Sequence, residues 1–114
     1  MNRINKVSYP AATITIKTNG DLSANRFVNF NGSVCQPTDK ALGVSKANWK
    51  SGEIASIETG GVLVVEAIGS VAMGANLSSD SLGRAKTNPG SDTTVAVAVD
   101  AVVNGGFIRC ILKV

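Results

Sequence analysis

The side chains able to do acid–base or covalent chemistry in this sequence are eight carboxylates, two thiols and a scatter of serines and lysines, with no histidine. The missing histidine removes the commonest general base and rules out a Ser–His or Cys–His nucleophile. The acids are Asp21, Asp39, Glu53, Glu58, Glu66, Asp80, Asp92 and Asp100. Most fall in turns or at strand edges, where a solvated carboxylate is the ordinary state. Glu53 and Glu58 bracket one strand on opposite faces, so they do not converge as the paired carboxylates of a glycosidase do. Serines and lysines are plentiful enough for a Ser–Lys dyad, yet no spacing singles one out. A structural zinc needs four ligands, typically Cys or His, and Cys35 and Cys110 supply only two. The Gly43, Gly60-Gly61 and Gly105-Gly106 positions lack the phosphate-loop spacing with a following Lys-Ser/Thr. The sequence thus predicts no enzyme: no catalytic residue, no cofactor and no metal.

Cys35 and Cys110 lie far apart in apolar segments, and in a reducing compartment such thiols act as small buried hydrophobes. The N-terminus, Met1-Asn2-Arg3-Ile4-Asn5-Lys6, has no apolar run behind its charge and does not read as a signal peptide. The longest apolar stretch, Val95 to Val103, is interrupted by Asp100 and is far shorter than the ~20 residues that span a bilayer. The expectation is a protein made in a cytoplasm, with no membrane partner.

The formal net charge is +3 and is unevenly spread. Arg3, Lys6 and Lys17 precede the first acid, and from Asp21 onward eight basic residues balance eight acidic ones. A solvated chain end accounts for this, and so does a basic arm that docks on an acidic surface. Single-stranded nucleic-acid binding needs a basic groove interleaved with stacking aromatics. Phe27, Phe30 and Phe107 sit in apolar segments and read as core, leaving Tyr9 and Trp49 as exposed aromatics. The balanced charge beyond the arm offers no phosphate-tracking stripe, so no nucleic-acid partner is expected.

The elements that would position these groups are short strands. At 114 residues the chain is one domain. Residues 1–11 mix polar and apolar residues without period and read as an N-terminal arm, leaving a single β domain over 12–114. Thr13 to Thr18 alternates polar and β-branched residues, the pattern of a half-buried strand. Phe27 to Phe30 is turned by Asn31-Gly32 into Ser33 to Gln36, a hairpin signal. Ala41 to Lys46 is a further strand, as is Glu53 to Glu58. Gly60-Gly61 breaks the chain before the near-continuous apolar run Val62 to Ile68, which reads as a central strand. Ala72 to Leu77 is a loop or short strand, Asp80 to Gly83 a turn and Thr87 to Asp92 a surface loop. Val95 to Val99 alternates, and Phe107 to Val114 closes the chain as a strand. No window carries a helical period. Short strands punctuated by Gly and Asn predict an all-β fold, a small barrel or sandwich.

A weak internal repeat runs through these strands. Ser23-Ala24-Asn25 echoes Gly74-Ala75-Asn76, Asn31-Gly32 falls opposite Leu82-Gly83, and Ala41 to Ile54 follows the same order as Val95 to Ile108. Two related half-barrels closing on one another would fit it.

Ala41-Leu42-Gly43-Val44, the Ser51-Gly52-Glu53 turn and Thr59-Gly60-Gly61-Val62-Leu63-Val64-Val65 together resemble the small capsid decoration (cement) proteins of tailed phages, long catalogued as a domain of unknown function. Gly74-Ala75-Asn76-Leu77, Leu82-Gly83-Arg84, Val97-Ala98-Val99 and Gly105 to Ile111 continue the likeness, which spans roughly residues 12–114. Two positions depart from the family pattern: Val97 replaces a glycine and Gly106 an acid. The resemblance implies a β-barrel or β-tulip-like sandwich with an extended arm, on the outer surface of a virion. There it would clamp neighbouring subunits of the major capsid protein, as a homotrimer or, alternatively, a dimer. It implies that the arm reaches onto the capsid; the charge excess before Asp21 and the apolar residues beside it then make Arg3, Ile4, Lys6, Val7 and Tyr9 its expected contacts. A β-module joining tail or baseplate parts is the alternative, followed by a single-stranded nucleic-acid-binding barrel.

Overall fold

The computed structural model describes residues 9–113, with side chains described from Ala12 onward. They form eight strands: β1 (Tyr9–Lys17), β2 (Arg26–Asn29), β3 (Ala41–Ser45), β4 (Ile54–Ala67), β5 (Asn76–Ser79), β6 (Ala85–Thr87), β7 (Ala96–Ala98) and β8 (Gly106–Leu112). The described residues contain no helix, and so none long and apolar enough to cross a membrane.

The long strand β4 organises the fold. Its C-terminal half pairs antiparallel with β8 (Val62↔Ile111 to Ala67↔Gly106) and makes one parallel contact with β6 (Ala67↔Ala85). β6 pairs with β5, β5 with β7 and β7 with β8, so β4–β6–β5–β7–β8 close into a five-stranded barrel. The N-terminal half of β4 carries β1 along one edge and β3 on the other, with β2 outside β3. The expected break at Gly60-Gly61 is therefore a bend inside one strand. Both glycines have positive φ (70° and 75°), and β1 pairs on either side of the bend, at Ala12↔Thr59 and Pro10↔Gly61. That bridging holds β4 together where glycine would otherwise end it.

The internal repeat is present in the hydrogen bonding. The Leu22↔Trp49 bridge has its counterpart in Val71↔Val102. The Gly52 N–H donates to the Thr18 carbonyl, and the Gly105 N–H donates to the Gly69 carbonyl. Asn25 and Gly74, both with positive φ, donate their N–H groups to Ser45 and Ala98. Strands β1, β2, β3 and the first half of β4 thus match the second half of β4, β5, β7 and β8. The repeats share β4 and exchange roles at Gly60-Gly61. They are not two halves of one ring, as the sequence suggested: the second closes as the barrel and the first lies beside it.

Each part has its own core. Leu22, Val28, Ala55 and Ile57 are buried together in the first repeat, with Trp49 packed against them. Leu63, Val65, Leu77, Val95, Ile108 and Cys110 fill the barrel, and Phe27, Cys35 and Val44 join that cluster from the first repeat. Alternation on β4 puts Ala55 and Ile57 inside and leaves Ile54 exposed, as period two requires. Two aromatic expectations are corrected. Phe30 and Phe107 are not core: they are 66% and 37% exposed. Trp49 is half-buried. Ser33–Gln36 is not a strand either. It meets β2 through the single bridge Val28↔Val34, because β2 pairs along its length with β3.

Candidate functional site

The carboxylates are used in building the fold. Glu53 accepts the Lys50 N–H and closes a turn, and Asp21 accepts the Ser51 N–H and ties that turn to a distant one. Asp39 accepts from Asn29 Nδ2 and from the Gln36 N–H. Glu66 pairs with Arg26 at 2.9 Å, Asp80 with Arg84 at 2.7 Å, Asp92 with Lys86 at 2.9 Å and Asp100 with Arg109 at 2.8 Å. The hydrogen bond from Lys86 holds the Asp92 carboxyl below the usual range, helped by Ser78 and opposed by desolvation. Glu58 has one buried oxygen, Oε1, without a hydrogen-bond partner. Among the described residues no three His, Cys, Asp or Glu side chains gather where they could hold a metal.

Cys35 and Cys110 are both free and fully buried. Burial pushes each thiol up to about 12, with Asp39 adding to the effect at Cys35 and a hydrogen bond from Ser79 opposing it. A thiol so far from its thiolate is a packing group, not a nucleophile.

The sequence placed its contact residues in the arm. Arg3, Ile4, Lys6 and Val7 lie outside the described residues, as does the Tyr9 side chain. The backbone of Tyr9, Pro10 and Ala11, which the sequence reading grouped with the arm, is the start of β1. This strand bears directly on recognition. β1 pairs with β4 on one edge, and among the described residues no strand pairs with its other edge. Thr13, Ile14 and Thr15 are exposed along it. A strand with a free edge presents a row of backbone donors and acceptors on which another chain can form a sheet. Sequence alternation found the strand, but only the pairing shows which edge is open.

A family model described as phage cement protein matches residues 8–113 of this chain. No curated protein matches it. Among solved structures, the fold is similar to the head fiber gp8.5 N base of bacteriophage phi29, with a TM-score of 0.72 and 15% identity over 90% of this chain and 93% of that one.

Proposed function

The chain belongs to the phage cement protein family and is a structural protein of a phage head, and we propose from this that it binds the outer surface of the head and clamps neighbouring major capsid subunits. The observation that carries the reading is the free edge of β1, continuous in sequence with the basic residues before it. Backbone bonds from such an edge require no particular side chains. Arg3 and Lys6 would steer the segment to an acidic shell, and Ile4, Val7 and Tyr9 would supply apolar contact. Seven of the eight carboxylates have structural partners in the fold, which supports a role without catalysis. A homotrimer would present three such segments, so that release requires all of them to let go together. The shared fold with the phi29 head fiber base supports a seat on a phage head.

Deletion of residues 2–8 tests the role of the arm while leaving β1 whole. The truncated protein is expected to fold and to bind heads at least tenfold more weakly. Binding equal to that of the full chain would move the contact away from the arm.

A further inference from the structure

The bend in β4 opens a cleft on the edge opposite β1. On that edge β3 pairs only with Ile57 and Glu58, and β8 begins its pairing at Val62. Thr59, Gly60 and Gly61 lie between them, and among the described residues no strand pairs with them on that side. The gap is a cleft of about 370 Å³. Leu42, Val95 and Leu112 form apolar wall, and the exposed Phe30 lines it too. Lys40 and Lys113 line it as well, both exposed and neither in an ion pair among the described residues. Among the described residues no acidic one lines it. Asp39, the nearest in sequence, is engaged by Asn29 and Gln36.

The repeat supplies an internal control for Phe30. The turn Asn29–Ser33 and the turn Asp80–Arg84 are hydrogen-bonded alike, and the residue at the place of Phe30 in the second is Ser81. The turn therefore does not need an aromatic there, and burial does not explain one that is 66% exposed. A large exposed apolar ring beside an apolar cleft, with two cations that have no ion-pair partner among the described residues, has the make-up of an anchor site.

We propose that this cleft receives an acidic segment of the head shell protein, with an apolar side chain seated against Phe30, Leu42 and Leu112 and a neighbouring carboxylate held by Lys40 and Lys113. The inference rests on the head-binding reading above. It adds a second contact, on the edge of β4 opposite β1.

The test uses heads assembled without this protein as the probe. Phe30→Ala and the double variant Lys40→Glu/Lys113→Glu alter exposed residues, so both are expected to keep the unfolding midpoint of the parent. Each is expected to weaken binding about tenfold, and the charge reversal is expected to flatten the salt dependence as well. Replacing Phe30 with the photo-crosslinker p-benzoylphenylalanine is expected to label a shell peptide in which Asp or Glu flanks an apolar residue. Parental binding by both variants would overturn the cleft contact and leave the head-binding reading standing. Crosslinks to a second copy of this chain, or to a peptide without acids, would overturn the stated partner. Failure of the parent protein itself to bind heads would overturn both readings.

Discussion

Asn29 Oδ1 and Asp80 Oδ1 do the same work in the two repeats. Each accepts the backbone N–H groups two and four residues ahead, Asn31 and Ser33 in one case and Leu82 and Arg84 in the other. In both turns the glycine three places on, Gly32 or Gly83, has positive φ and donates to the carbonyl of the capping residue. The chain thus solves one turn twice, with an amide in one repeat and a carboxylate in the other. Only Asp80 adds an ion pair, to Arg84.

Substitution should separate these two roles of Asp80. Asp80→Asn keeps the cap in the form Asn29 uses and loses a partly exposed ion pair, a loss of about 1 kcal/mol at most. Asp80→Ala leaves two backbone donors unmet and is expected to cost about 2 kcal/mol. Urea unfolding of the two variants checks the order, and equal losses would contradict the shared-turn account.

Gly43 is required by a different constraint, the close approach of β3 to β4. A Cβ there would stand 2.1 Å from the Glu58 carbonyl oxygen and 2.8 Å from Ile57 Cγ2. Neither neighbour can give easily, since one is backbone and the other is buried. Gly43→Ala is expected to destabilise by about 3 kcal/mol, read as a fall in the urea midpoint. A change within a few tenths of parental stability would contradict this packing.

The buried thiols give a pH signature. Each ionises at about 12 in the fold against 9.0 for an unperturbed thiol. The neutral form is favoured by folding, so this stability is complete below pH 9 and is lost as pH rises from there toward 12. The loss amounts to about 1.4 kcal/mol per pH unit for each thiol. The stability gap between the parent and Cys35→Ala/Cys110→Ala should therefore narrow above pH 9. At pH 8 the native protein should resist a thiol reagent that labels both cysteines once unfolded, and rapid labelling of the native protein would contradict their burial.

Much of the fold was legible because alternation marks a half-buried strand. Val95 to Val99 and Phe107 to Val114 were read as strands, and they overlap β7 (Ala96–Ala98) and β8 (Gly106–Leu112). What escaped depended on partners distant in sequence. β6 is only Ala85–Thr87, too short for a period, and exists through its pairing with β5 and its contact with Ala67. Gly60-Gly61 read as a break because the sequence does not show β1 spanning it. Phe30 read as core because it ends an apolar run. The signal against this was its position between Asn29 and Asn31-Gly32, inside a side-chain-capped turn. For the functional surface, charge pointed to the arm, whereas the open edge of β1 and the cleft at Gly60 appear only after pairing.

The central claim is tested most directly by counting. Purified protein is titrated onto phage heads assembled without it, the bound copies per head are measured by cosedimentation, and the heads are then heated. The account predicts saturable binding at hundreds of copies per head and survival of decorated heads to a higher temperature than bare ones. Absence of saturable binding, or a few copies confined to the tail vertex with no gain in head stability, would contradict it.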